Sequence, residues 1–185
     1  KMPLSMDRED LIEERAIAIT LTDDNYIRHV PVETFRVQNR GGKGLKGVAT
    51  KDEDSPQSIV TCFSKDRLLI FTNLGRVYGL KAWETPQGSR HSRGTHIRNL
   101  LENLQEGESI VSILPISKTL VDEVTEKCLK VKLEDGQKRP SSGYFLMFAT
   151  KLGLIKKTDL HEYVRINRNG KYALRFKLDD DSLVN

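Results

Sequence analysis

The apolar residues of this chain gather in short runs separated by small and polar clusters. The longest runs, Leu68–Phe71 and Tyr144–Ala149, have the length of a β-strand and are too short to cross a membrane as a helix. Three windows repeat one pattern. Ile19–Arg28, Ile70–Tyr78 and Phe148–Lys157 each hold an apolar strand, a Thr, two further residues, a Gly or Asn, and a second strand. Asn25, Gly75 and Gly153 share one position, and these residue types best tolerate the positive φ of a tight turn. Each window therefore predicts a β-hairpin. Helical spacing is scarce. Asp7–Glu14 reads as a short helix or an extended lead-in that buries Leu11 and Ile12. Ile97–Gln105 places Ile97, Leu100, Leu101 and Leu104 either on one helical face or in a loop that tucks them in.

The repeat sets the architecture. Thr22 and Thr72 are 50 residues apart and Thr72 and Thr150 are 78 apart, so removing an insertion of about 28 residues restores the period. The insertion, at about residues 117–142, is highly charged and turns at Asp135-Gly136, which predicts a protruding hairpin or a mobile loop. Units of this size with several short strands predict an all-β, propeller-like array of about three four-stranded blades, partial and open. A lead-in or linker covers residues 1–14, blade 1 about 15–64, blade 2 about 65–116 and blade 3 about 143–185. One blade cannot bury both faces of its own sheet, so neighbours supply the rest of the core. Asp181–Val184 reads as the first strand of another blade. Lys1 is not a natural start, and the sequence reads as a piece of a longer polypeptide.

A second feature recurs after each hairpin. Segments beginning at Phe35, Trp83 and Tyr163 each end in a basic, glycine-containing loop: Asn39-Arg40-Gly41-Gly42-Lys43-Gly44, Ser89-Arg90-His91-Ser92-Arg93-Gly94 and Arg165-Ile166-Asn167-Arg168-Asn169-Gly170. Taken singly, a loop Arg or Lys is usually just solvated. Recurrence at one place in three units turns a modest net charge into a cationic track. The first loop, with Gln38 before it, has no apolar side chain to bury. Its glycines expose backbone N–H groups beside two cations, a receptor for anionic oxygens. The phosphate-cradling G-x-x-x-x-G-K-[ST] loop does not fit, because Gly44 stands where a hydroxyl is needed. A nucleic-acid backbone is the better anion.

Composition agrees. The 185 residues are 37% hydrophobic and 30% charged, with a net charge of +4, and the sequence pI of about 9.0 favours a local basic face. Cys62 and Cys128 lack a CxxC set, so zinc is not expected and a reducing cytoplasm fits. His29, His91, His96 and His161 have no metal-ligand spacing and read as surface or loop histidines. No nucleophile elbow, metal cluster or nucleotide fingerprint is present. Tyr26, Tyr78, Tyr144, Tyr163 and Tyr172 read as core or rim packing, and Asp179-Asp180-Asp181 as an acidic turn before a strand.

The heptapeptide Gln38-Asn39-Arg40-Gly41-Gly42-Lys43-Gly44 resembles the box of the DNA gyrase A C-terminal domain, whose usual form is Gln-Arg-Arg-Gly-Gly-Lys-Gly, with Asn39 the single departure. Leu69-Ile70-Phe71-Thr72-x-x-Gly75-Arg76, Ser89-Arg90-x-x-Arg93-Gly94, Gly107-Glu108-x-Ile110 and Ala149-Thr150-Lys151-x-Gly153-x-x-Lys156-Lys157-Thr158 are family-like as well. The resemblance implies a β-pinwheel, in which neighbouring blades exchange strands and duplex DNA wraps around a basic rim with little sequence preference. It implies a non-catalytic domain, without cofactor, of an ATP-dependent type IIA topoisomerase that introduces negative supercoils in the bacterial cytoplasm. The partners are DNA, the catalytic part of gyrase A, and gyrase B. The family usually has five or six blades, against three repeats here.

On this basis the expected DNA contacts are Gln38, Asn39, Arg40, Gly41, Gly42, Lys43 and Gly44, then Arg90, Arg93, Lys156, Lys157 and Arg168, with Lys46, Arg76 and Lys151 in support. The rival readings are the equivalent domain of topoisomerase IV, a protein-binding propeller, and an enzyme handling phosphate or nucleotide around Gly41–Gly44.

Overall fold

The computed structural model describes residues 8–35, 56–89, 92–167, 169–178 and 180–184. The protein is all-β with few helical turns, its sheets are open rather than closed into a barrel, and the three expected hairpins are present. They are β1 (Ala16–Thr22) with β2 (Tyr26–Pro31), β4 (Arg67–Thr72) with β5 (Arg76–Lys81), and β8 (Phe145–Ala149) with β9 (Ile155–Asp159).

One turn chemistry serves all three. The N–H of Asn25, Gly75 and Gly153 each donates at 2.9 Å to the carbonyl of Thr22, Thr72 and Thr150. The Thr hydroxyl oxygen then accepts the next N–H, from Tyr26 at 3.1 Å, Arg76 at 3.3 Å and Leu154 at 3.1 Å. The φ angles of Asn25, Gly75 and Gly153 are 62°, 72° and 82°, the left-handed region that a side chain beyond Asn or Gly resists.

The chain forms two compact units, Lys1–Asp66 with Lys81–Leu100, and Arg67–Leu80 with Leu101–Asn185. In the first unit a four-stranded sheet runs β3 (Pro56–Phe63), β1, β2, β6 (Thr95–His96). Ile17, Ile19, Leu21, Ile27 and Val30 are buried in it, so β1 and β2 carry its core. In the second unit the sheet runs β10 (Lys171–Tyr172), β5, β4, β7 (Ile110–Ile116). The two sheets follow one plan. The outer strands β3 and β7 meet their hairpins with a register shift at the same place, Leu21/Thr22 and Phe71/Thr72. The fourth strand of each sheet, β6 or β10, lies in the sequence beyond the next hairpin. This is the strand exchange of a pinwheel.

The third sheet, in the second unit, holds β8 and β9 alone among the described residues, not four strands. Thr150 forms an antiparallel bridge with Leu183, just as Thr22 pairs with Pro56 and Thr72 with Ile110. Asp181–Val184 therefore runs alongside the third hairpin at Thr150. Phe148 of this hairpin is buried with Phe71 and Tyr163, ring centroids 5.5–6.4 Å apart in edge-to-face pairs, whereas Phe145, Met147 and Ile155 are exposed.

The charged insertion is helical. α1 (Lys118–Val124), capped by the Ser117 hydroxyl, runs into a π-helical turn at Thr125–Leu129. Val124 and Cys128 are fully buried in the second unit's core with Phe71, Phe148 and Tyr163, and Leu120, Val121 and Leu129 pack against them. Only the following stretch, 130–141, is exposed throughout. Hydrophobic anchoring overrides the reading of a hairpin or loop. The Asp159 carboxylate fastens the far end, accepting from the Ser141 hydroxyl at 2.6 Å, the Ser142 hydroxyl at 2.5 Å and the Ser142 N–H at 3.0 Å.

The remaining helical expectations shrink to single 3-10 turns. Arg8–Leu11 is one, with Leu11 exposed and Ile12 half-buried. Ile97–Asn99 is another, because Asn103 at φ 60° and Gly107 at φ 75° turn the chain back before a helix is complete. Similar turns follow each hairpin at Val32–Phe35, Ala82–Glu84 and Leu160–Glu162.

Candidate nucleic-acid interface

The basic loops grow from the hairpins in a fixed way. After β5 and β9 the chain makes a 3-10 turn, loops, and enters β6 or β10 at a positive-φ glycine, Gly94 at 87° or Gly170 at 71°. A Cβ on Gly94 would meet the Ile27 carbonyl at 2.5 Å, and one on Gly170 the Tyr78 ring at 2.7 Å. These glycines let the loop close onto the preceding hairpin at equivalent places, Ile27–Arg28 and Val77–Tyr78. Their close approach is to the protein's own backbone and rings.

Within the first unit, Arg93 stands on the surface just before Gly94. Its guanidinium lies 4.0 Å from the Tyr26 ring centroid, and Nη2 is 3.0 Å from Asp24 Oδ2, with both side chains about half exposed. Tyr26 in turn meets His96 edge to face at 5.3 Å. Stacking on an aromatic face holds Arg93 in one orientation.

In the second unit, Lys151 is exposed in the third hairpin turn. Lys156 and Lys157 are exposed neighbours on β9, but they face opposite sides of the sheet, across from Phe148 and Met147. Lys156 Nζ donates to the Ala173 carbonyl at 2.6 Å, and Lys157 Nζ sits 4.0 Å from the Phe145 ring centroid. Gln38, Asn39, Arg40, Gly41, Gly42, Lys43, Gly44, Lys46, Arg90 and Arg168 lie outside the described residues.

Arg76 is not a surface cation. It is 8% exposed, and Nη1 reaches Glu108 Oε2 at 3.2 Å and the Asn103 carbonyl at 2.8 Å, while Nη2 reaches the Asn169 carbonyl at 2.7 Å. Glu108 also accepts from the Thr72 hydroxyl at 2.7 Å and the Gln105 N–H at 2.8 Å. Burial and the nearby Glu108 push the Tyr78 phenol up. A charge bound by this many internal partners is unavailable to a phosphate. Asp181 plays a related part at the third turn: it is buried, and its Oδ1 accepts from the N–H of Leu152 at 3.0 Å and Ser182 at 2.9 Å.

His29 is not a surface histidine either. It lies on β2, buried, with Nδ1 at 2.8 Å from the Thr85 carbonyl. That carbonyl can only accept, so Nδ1 carries the proton. Burial pushes His29 below the ordinary histidine value. Among the described residues no group of three or more His, Cys, Asp or Glu could hold a metal ion, and no helix is long and apolar enough to cross a membrane. Sequence reasoning passed over Arg165. It is exposed at the head of the third basic loop, and membership of that recurring loop was the signal for it.

These repeats match known proteins. A sequence model described as the DNA gyrase C-terminal domain, beta-propeller, matches residues 17–62, 66–117 and 144–185, which leaves the helical insertion outside it. The DNA gyrase A protein of Staphylococcus epidermidis (strain ATCC 12228) is 43% identical over 179 residues, and that of Staphylococcus aureus (strain MRSA252) 42%. Each alignment covers 97% of this chain and 18% of the relative, so the chain spans about a fifth of the length of these proteins. The solved C-terminal domain of DNA topoisomerase IV superposes with a TM-score of 0.64 at 23% identity, over 95% of this chain and 46% of that one. The solved DNA gyrase A C-terminal domain gives 0.59 at 20%, over 91% and 46%. At such identities the superpositions speak for the fold, while the matched repeats speak for descent. The chain belongs to the DNA gyrase C-terminal domain family of β-propeller domains.

Proposed function

We propose that this chain is a non-catalytic module of a DNA gyrase A protein that binds duplex DNA along its basic loops and bends it. The observation that carries the reading is the family match in three successive repeats, the first of which contains the heptapeptide Gln38–Gly44. Residues 15–64, 65–116 and 143–185 then act as successive blades, each displaying one cationic loop, with the insertion at 117–142 between the second and third. Loop cations neutralise phosphates and release counterions, so affinity falls steeply with salt. Contacts to the backbone rather than to base edges give little sequence preference. Bending a site of 20–30 base pairs costs about 1–6 kcal/mol, and a few charge-assisted contacts of about 1.5–3 kcal/mol each offset it.

In this reading Arg40 pairs with phosphate, Lys43 acts as a point charge, and Arg90, Arg93, Lys151, Lys157 and Arg168 extend the track. Lys46 supports the box, and Lys156 contributes less because its ammonium is already bound to a carbonyl. In the whole enzyme the bent DNA serves the catalytic part of gyrase A and the ATP-driven gyrase B, in the bacterial cytoplasm. The test replaces Arg40 and Lys43 with Ala and measures duplex binding across a salt series. The slope of log K against log salt should fall by about two; an unchanged affinity and slope would overturn the clamp. DNA minicircles decide between gyrase-type and topoisomerase IV-type behaviour, since the gyrase type imposes positive writhe.

A further inference from the structure

We infer that Arg165 is a DNA phosphate contact of the third basic loop, and that the buried Arg76 is the positioning residue that presents it. The inference rests on the DNA-binding reading above and adds to it a contact residue and the device that orders it.

The loop after Leu160–Glu162 is fixed along its inner side. Tyr163 and Val164 are buried, and Ile166 packs against the second unit's core. Two arginines from β4 and β5 grip its backbone: Arg67 Nη2 donates to the Ile166 carbonyl at 3.3 Å, and Arg76 Nη2 to the Asn169 carbonyl at 2.7 Å. Gly170 turns at φ 71°, its N–H donating to the Asn167 carbonyl at 2.9 Å, and lies against the Tyr78 ring. Lys171 Nζ closes the base of the loop on the Glu162 carbonyl at 2.6 Å.

Arg165 lies outside this packed inner face. It is exposed, and it makes no hydrogen bond or ion pair with any described residue. Its neighbours on either side in the sequence, Val164 and Ile166, face the core. Arg165 is thus an unengaged guanidinium on a backbone that has already lost its freedom. That arrangement removes much of the ordering cost of seizing a phosphate, and the planar fork suits two phosphate oxygens at once. Arg76 can hold the loop because Glu108, itself fastened by Thr72 and Gln105, fixes its guanidinium between the Asn103 and Asn169 carbonyls. A lysine at position 76 keeps the charge but offers one nitrogen in place of a fork.

The experiment measures the salt dependence of binding to a random-sequence DNA duplex for the whole chain and for Arg165→Ala, Arg76→Lys and the double variant. Amide exchange across residues 165–170 and thermal unfolding are followed in parallel. Arg165→Ala should weaken binding about threefold to tenfold and lower the slope of log K against log salt by about one. Arg76→Lys, although it removes no charge, should lower the slope by the same amount and speed exchange in the loop. The double variant should bind no more weakly than Arg76→Lys alone. A merely structural role for Arg76 would shift the melting temperature and leave the slope at the wild-type value, which overturns the inference, as do losses that multiply. If Arg76→Lys is unfolded at the assay temperature, Arg67→Lys, which gives up the guanidinium grip on the Ile166 carbonyl and also removes no charge, takes its place with the same expected outcomes. If the unaltered chain shows no salt-dependent DNA binding, the DNA-binding reading fails together with the role of Arg165. The exchange data then still decide whether Arg76 holds the loop.

Discussion

Arg76 and Glu108 form an ion pair at 3.2 Å in the interior of the second unit, with side chains 10% and 0% exposed. Removing either partner leaves a buried charge uncompensated, which costs about 3–5 kcal/mol. Glu108→Ala should therefore unfold the second unit at clearly lower denaturant, and Glu108→Gln, which keeps the shape, should lose less. Chemical denaturation followed by far-ultraviolet circular dichroism measures both.

Gly75 and Gly153 occupy the same turn position but differ in surroundings. A Cβ on Gly75 would stand 2.7 Å from the Leu174 carbonyl, whereas one on Gly153 would meet nothing within 4 Å. Gly153→Ala should cost only the left-handed backbone strain, about 1–2 kcal/mol. Gly75→Ala should cost that and the displacement of Leu174, a visibly larger drop in melting temperature.

Asp159 gives a pH signature. Burial alone would raise its carboxyl, but the Ser141 and Ser142 hydroxyls and His161 hold it well below the usual carboxylate range. A carboxyl lowered in the folded state adds stability that is complete above its unfolded value of about 3.9 and is lost as pH falls below it. Asp159→Asn should be less stable than the parent by on the order of 2 kcal/mol at neutral pH. The two stability curves should converge in acid, as urea midpoints between neutrality and strongly acidic buffer would record.

The insertion is testable as a piece of core. Val124→Ala should cost on the order of 2 kcal/mol, since it opens a cavity beside Phe148 and Tyr163. Gln137→Ala, on the exposed stretch, should change little. Equal and negligible effects in thermal melts would return the segment to the status of a loose loop.

Neither thiol should react readily in the folded protein. Burial, with Asp66 nearby, pushes Cys62 up to about 12, and burial pushes Cys128 up as well. The thiolate is the nucleophile, so maleimide labelling at neutral pH should be slow natively and fast in denaturant.

The hairpins were legible in the sequence because Thr22, Thr72 and Thr150 with their Asn or Gly partners state a turn chemistry locally. The pairings of β6 and β10 were not, because two residues of a short strand carry no pattern of their own; the resemblance to pinwheels implied only that neighbouring blades exchange strands. The insertion hid its helix behind charge. Leu120, Val121, Val124 and Cys128 fall at helical spacing, yet Asp135-Gly136 and the surrounding Lys and Glu point toward a turn. Arg76 reads in the sequence as a supporting DNA contact because its partner Glu108 stands 32 residues away. Distance in sequence conceals a buried ion pair, whereas a solvated basic loop and a gripped one look alike until the carbonyls that hold it are seen.

Because β6 and β10 each come from beyond the following hairpin, the order of synthesis constrains the order of assembly. On a ribosome the first sheet stays one strand short until Thr95–His96 has emerged, and the second until Lys171–Tyr172 has. The first and second repeats each wait for their successor, so a nascent chain stalled or clipped within them exposes an unzipped edge at its most recent sheet.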